Sequence, residues 1–290
     1  MKLSTEQINL LSELAISAAK KAGEYIQKAV HSKITVKRKE EANSLASEVF
    51  TEIDEGAQEI ILSVLNQSIK DYDLGLLAEE KEDDFSRLTK DYFWCIDPLD
   101  GTLAFIEQQP GYSVAISLLD KKGTPIIGVV YDPVTSTLYH AIKGLGAFKN
   151  ETPWVLNLTN NRELNVFTDK SFFNHVHFDT ISKELHSLGF EKITFNKYGG
   201  AVMNACWVLE HPSACYFKLP KKQQGGGSIW DYGATTCLFN ELNIPSSDIY
   251  GSPLLLNEKK NIFMNKTGVL FTTDEILQKK IINFCKQFIK

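Results

Sequence analysis

The sequence predicts a mixed fold: an α+β half over residues 1–152, followed by an α/β half over residues 153–290. Three observations carry this. Two amphipathic helical patterns open the chain. Two β-rich runs, Tyr112–Leu119 and Thr124–Tyr131, are joined by the polar turn Asp120-Lys121-Lys122-Gly123, a hairpin signal. Beyond Thr152-Pro153, short apolar runs alternate with helical ones, as in an α/β layer.

The elements follow in order. Ser4 and Gln7 read as a capping box, and Ile8, Leu11, Leu14, Ala15, Ala18, Ala22 and Ile26 recur at helical spacing as far as about Val30. The charged stretch Lys33–Glu41 reads as a solvated loop. A second helix is predicted from about Leu45 through Leu65, with Val49, Ile53, Ala57, Ile60, Ile61 and Val64 on its apolar side; Asp54 falls on it. Tyr72–Ala78 reads as a short strand delivering Glu79 and Glu80, and Tyr92–Ile96 as a buried strand. Thr137–Ile142 adds a β run after the Asp132-Pro133 turn, and Lys143–Phe148 carries the chain across. In the second half, strands are predicted at Leu164–Thr168, Lys192–Phe195 and Ala214–Phe217. Helices are predicted at Asp179–Leu188, Val202–Leu209 and Trp230–Asn240.

Composition narrows the classes. A chain of 290 residues with 43% hydrophobic content can bury a large core. A net charge of −5 argues against a nucleic acid polymer as partner, because phosphate backbones select basic faces. The 5 cysteines are widely spaced and form no CxxC, the pattern of buried free thiols in a reducing cytoplasm. Met1-Lys2-Leu3-Ser4 opens no hydrophobic segment of signal length, and no apolar run is long enough to span a membrane. The expectation is a cytoplasmic protein without a membrane partner.

The chemistry centres on Asp97-Pro98-Leu99-Asp100-Gly101-Thr102. Pro98 fixes φ between two carboxylates, and Gly101 permits a sharp turn behind them. Carboxylates held this close raise one another's pKa unless a cation lies between them. A hard divalent ion such as Mg2+ suits an all-oxygen donor set and keeps positions for water and phosphate. The same six residues also suit a plain strand-ending Asx-Pro turn. Upstream stand Glu79 and Glu80; downstream, Gly225-Gly226-Gly227-Ser228-Ile229 leads into Trp230-Asp231.

In this order, Asp54, Glu79-Glu80, DPLDGT and Trp230-Asp231 resemble the inositol monophosphatase family of lithium-sensitive, Mg2+-dependent sugar phosphatases. The resemblance runs from about Ala15 to about Pro253. It implies a layered αβαβα sugar-phosphatase fold and hydrolysis of a small phosphorylated metabolite, with a homodimer as an open option. It implies Glu79, Asp97, the carbonyl of Leu99, Asp100 and Asp231 as ligands for two or three Mg2+ ions. Asp54, Glu79 and Thr102 are implied as catalytic. Substrate contacts are implied at Gly101, Thr102, Gly199, Gly200, Ala201 and Asp231. The superfamily also contains 3'(2'),5'-bisphosphate nucleotidases. These usually carry Lys after DGT where this chain has Leu103, which leans toward an inositol monophosphate. Gln224, however, stands where inositol-type members carry an acid that contacts inositol, so the resemblance leaves the substrate open. A silent metal- or phosphate-binding protein on the same fold is the reading of a different class.

Other signals are weaker. Gly225-Gly226-Gly227 lacks the Lys of a P-loop, and no GxSxG occurs. His175-Val176-His177 lacks a third ligand at zinc spacing. Tyr198-Gly199-Gly200-Ala201 opens a helix, where backbone N–H groups favour anions, and equally suits a tight turn. The segment Lys218–Gly227 is cationic, glycine-rich and longer than its family counterpart. Lys221 or Lys222 is expected to reach the substrate, unless the loop is merely solvated.

Overall fold

The computed structural model describes residues 2–31, 36–38, 49–157 and 162–288, with the backbone alone for 36–38 and 49–50. Helix α1 spans Thr5–Ala29 and opens on the expected box: Ser4 N donates to Gln7 Oε1 at 2.8 Å, and Gln7 N to Ser4 Oγ at 3.2 Å. Strand β1, Val36–Arg38, pairs antiparallel with β2, Val49–Thr51, so part of the charged stretch read as a loop is extended and paired. The flanking residues 33–35 and 39–41 lie outside the described residues, as do 45–48 of the second predicted helix. That helix, α2, spans Glu52–Asp71 and begins later than its apolar spacing implies. The cause is local. The Thr51 hydroxyl accepts from Ile53 N at 3.1 Å while Thr51 N donates to Asp54 Oδ2 at 2.8 Å, so Thr51 caps the helix and holds the chain before it extended.

The first sheet contains β3 (Gly75–Ala78), β4 (Tyr92–Asp100), β5 (Ser113–Asp120), β6 (Pro125–Asp132), β7 (Thr137–Ile142), β8 (Gly146–Lys149) and β9 (Thr152–Pro153), side by side in that order. Only β3 and β4 run parallel in it. Strand β4 does not stop at Ile96 but continues through the acidic motif. Its register shifts between Asp97, opposite Ala115, and Asp100, opposite Ser113. Pro98 lies in that bulge, where a ladder position needs no N–H. Helix α3, Thr102–Ile106, follows at once.

The second sheet has the order β11-β10-β12-β14-β13. Its strands are β10 (Glu163–Phe167), β11 (Lys192–Asn196), β12 (Ala214–Lys218), β13 (Ser246–Ser247) and β14 (Val269–Thr272); β10 is parallel to both neighbours. Helices α4 (Phe178–His186), α5 (Ala201–Glu210) and α6 (Ile229–Glu241) agree with the predicted segments to within a residue or two. Strand β14 and helix α7, Glu275–Cys285, carry no sequence prediction.

Helices α1 and α2 cover one face of the first sheet, around buried Leu11, Ile26, Ile61 and Trp94. Helices α5 and α6 fill the space between the sheets with Val202, Met203, Tyr232, Leu238 and Phe239, against Phe93, Val130 and Phe271. Helices α4 and α7 close the outer face of the second sheet over Leu164, Cys215, Ile281 and Phe284. The order of layers is αβαβα, as the resemblance implies. All five cysteines are buried and free. No helix among the described residues is long and apolar enough to cross a membrane.

Candidate active site

The site gathers at the end of β4, from the first sheet and the helices that flank it. Asp97 and Asp100 stand on either side of its bulge, and Asp231 enters from the first turn of α6. These three buried residues each offer a carboxylate oxygen, and the oxygens all lie within 4.8 Å of one another. Asp97 is held by Leu99 N at 3.0 Å and Asp231 by Ser228 N at 2.6 Å. Asp100 accepts from Ala201 N at 3.1 Å and Val202 N at 2.8 Å, so the first turn of α5 is aimed at its carboxylate.

The electrostatics follow from burial and crowding. Burial, then Glu79, Asp100 and Asp231, push the Asp97 carboxyl well above the usual range. Burial and Asp231 do the same to Asp100, against the two helix N–H donors and Lys218. Asp231 is also raised, chiefly by burial, with Lys218 opposing. Clustered oxygen donors at such cost to one another fit a hard divalent cation, which removes the repulsion by ligation. The residues present therefore suit Mg2+. His175 and His177 are not part of this group, and His177 N simply donates to His175 Nδ1 at 3.2 Å.

Thr102 and Asp54 form the second part. The Thr102 hydroxyl lies 3.0 Å from Asp54 Oδ1 and 3.1 Å from the Leu99 carbonyl, and its single proton serves one of them at a time. Asp54 is 1% exposed, and burial pushes its carboxyl up to about 6, against the Thr51 donors and with help from Glu80. Glu79 lies just past β3, with its N–H on Ile96 O at 3.2 Å, close enough for its charge to act on Asp97. Of the predicted residues, Asp97, Asp100 and Asp231 form the close group, and Asp54, Thr102 and the Leu99 carbonyl meet one another. Glu79 acts on Asp97 through its charge without joining that close group.

The glycines are explained by close approach. Gly101 sits at φ 82°, and a Cβ at Gly200 would lie 2.3 Å from Asp100 Oδ2. Gly200 N donates to Gly111 O at 2.7 Å. The helix start after Tyr198-Gly199-Gly200, which from sequence suited an anion or a tight turn equally, presents the N–H groups of Ala201 and Val202 to the carboxylate of Asp100.

Sequence reasoning missed Asp169. Lys218, half-buried at the end of β12, pairs with Asp169 Oδ2 at 3.0 Å, just past the end of the parallel strand β10. Burial lowers the Lys218 pKa, but Asp169, Tyr232 and Asp231 outweigh it and hold the ammonium charged. The available signal was topological, since ligands in α/β sheets gather beyond the carboxyl ends of parallel strands. Lys221 is half-buried, with its N–H on Asn265 O at 2.7 Å and its ammonium curled over Gly225, whereas Lys222 is exposed.

The model of the inositol monophosphatase family matches residues 8–285. The chain is 29% identical over 239 residues to the Nus factor SuhB of Pasteurella multocida, covering 81% of this chain and 83% of that protein. It is 25% identical over 272 residues to the 3'(2'),5'-bisphosphate nucleotidase CysQ of Aggregatibacter actinomycetemcomitans, covering 92% and 95%. Its fold is shared with an IMPase structure from Thermotoga maritima at a TM-score of 0.74 and 21% identity, over 96% of this chain and 98% of that one. With the family model spanning nearly the whole chain, this protein belongs to the inositol monophosphatase family.

Proposed function

We propose that this protein is a Mg2+-dependent phosphomonoesterase acting on a small phosphorylated metabolite, inositol monophosphate first. The observation that carries the reading is the convergence of Asp97, Asp100 and Asp231 within 4.8 Å, beside the Asp54–Thr102 pair. Glu79, Asp97, the Leu99 carbonyl, Asp100 and Asp231 are the groups assigned to hold two or three Mg2+ ions. When bound, Mg2+ supplies positive charge that lowers the pKa of water and stabilises charge on the phosphoryl group. Asp54 and Thr102 orient the attacking water, and Asp54, with a pKa near 6, is mostly ionised at neutral pH and able to accept its proton through the Thr102 hydroxyl. The Gly101–Thr102 backbone faces the phosphate. Gly199, Gly200, Ala201 and Asp231 border the rest of the substrate.

A second reading is a 3'(2'),5'-bisphosphate nucleotidase acting on 3'-phosphoadenosine 5'-phosphate. One observation favours it: half-buried Lys221 and half-buried Lys218, the latter already paired with Asp169, place two ammonium groups where a second phosphate could be met. The test is phosphate release from inositol monophosphates, 3'-phosphoadenosine 5'-phosphate and sugar phosphates, each with Mg2+ and with EDTA. Mg2+-dependent release from the first class supports the main reading, and release from the nucleotide alone supports the second. No release from any substrate, with Mg2+ bound, would mark a silent binding protein.

A further inference from the structure

Asp54 and Gln58 stand one turn apart on α2, so their side chains share a face of the helix. Both are buried, at 1% and 6% exposure. Asp54 reaches Thr102, at the head of α3 immediately after β4. Gln58 Oε1 accepts from Glu80 N at 3.0 Å, immediately after β3. Strands β3 and β4 are parallel neighbours, with Ala78 opposite Ile96. One rigid helix therefore grips the leading ends of two adjacent strands through two side chains at a fixed helical spacing. Glu79 immediately precedes one gripped residue, and Asp97 lies on the strand that leads to the other.

A buried carboxamide costs desolvation unless it is hydrogen-bonded, and an apolar side chain would fill the same position between α2 and the sheet without that cost. The feature that distinguishes Gln58 from such a residue is its acceptor on Glu80 N. At the other end of β3, Leu76 N donates to Ser86 Oγ at 3.0 Å. A Cβ at Gly75 would lie 2.8 Å from Arg87 N, and Arg87 is itself buried and tied to Asp83 at 2.8 Å and Asn257 at 2.6 Å. The start of β3 is thus fixed by the Ser86–Arg87 turn, and the turn beyond its end by the Glu79 N–Ile96 O bond together with the Gln58 acceptor on Glu80 N.

We infer that Gln58 is a positioning residue for the acidic turn Glu79–Glu80: its acceptor oxygen sets where Glu79 stands relative to Asp97, and so the affinity of the site for Mg2+. This rests on the metal reading above. Partners that orient a ligand without touching the metal typically govern about 10- to 100-fold in metal affinity.

The test compares Gln58→Met, which keeps the volume and helix propensity but removes the acceptor, with Gln58→Glu, which keeps an acceptor oxygen. Mg2+ binding is measured by calorimetry without substrate, together with the rise in Tm on adding Mg2+. Gln58→Met should bind Mg2+ about tenfold more weakly, and its kcat at saturating Mg2+ should stay within about twofold of wild type. Gln58→Glu should bind at least as tightly as wild type. A Gln58→Met protein with wild-type Mg2+ affinity would overturn the inference alone, even if its Tm without metal had dropped. Equal losses in both variants would also overturn it, since the acceptor would then not be the determinant. Wild-type protein that takes up no Mg2+ would instead sink the metal reading, and this one with it.

Discussion

Asp54 gives a prediction whose size can be worked out. Its carboxyl is raised from 3.8 to about 6, chiefly by burial, so the folded protein holds this proton more tightly than the unfolded chain. A raised folded pKa favours folding at low pH, and that stability is lost as pH rises from the unfolded value through the folded one. The gap of roughly 2 units is worth about 3 kcal/mol when fully lost, of which roughly 1.4 kcal/mol disappears between pH 5 and 7.5. Asn at this position resembles the protonated acid and cannot ionise. In EDTA, Asp54→Asn should therefore gain stability over wild type as pH rises, by about 1.4 kcal/mol between pH 5 and 7.5. Urea unfolding of both proteins across that range measures it, and the carboxylates that do not feel the Asp54 charge cancel in the difference. A stability difference that stays flat or shrinks as pH rises would refute the reasoning. In Mg2+ the same variant should lose at least about 100-fold in kcat, the lower end for a displaced general base.

Three further outcomes follow. Mg2+ should raise the Tm more at pH 8 than at pH 6, because the raised carboxyls of Asp97 and Asp100 must release protons before they ligate; scanning calorimetry at the two pH values checks this, and an equal or smaller gain at pH 8 would oppose it. LiCl should inhibit hydrolysis where equal NaCl or KCl does not, in parallel phosphate-release assays, if the family's metal site is carried over intact. The Lys221→Ala, Lys222→Ala double variant should raise KM about tenfold for a bisphosphate, less for a monophosphate, and leave kcat nearly unchanged; since Lys222 is exposed, Lys222→Ala alone should behave as wild type.

Much of the fold was legible where one periodicity dominates. The α1 face, the hairpin between β5 and β6 and the layer helices α5 and α6 each show a single apolar pattern, and the structure agrees with them to within a few residues. Helix α2 shows where pattern reading fails. Val49 continues the apolar spacing backward, but the Thr51–Asp54 box ends the helix, because a cap satisfies N–H groups that apolar spacing does not register. Strand β4 outran its prediction because Pro98 reads as a terminator unless a bulge admits it. The candidate residues were legible through their motif, since DPLDGT and Trp230-Asp231 are short and local. Asp169, Gln58 and the engagement of Asp100 by α5 were not, because each depends on which strand ends and helix starts meet in space.

The most direct test titrates Mg2+ while phosphate release from inositol monophosphate is followed for wild type and Asp100→Asn. The carboxamide keeps the shape and one acceptor but lacks the charge the cation requires, so the variant should stay folded, with far-ultraviolet circular dichroism like that of wild type. Wild type should be silent in EDTA and rise to saturation with Mg2+, and Asp100→Asn should release no phosphate at any Mg2+ concentration. Full turnover by folded Asp100→Asn, or by wild type in EDTA, would contradict the account.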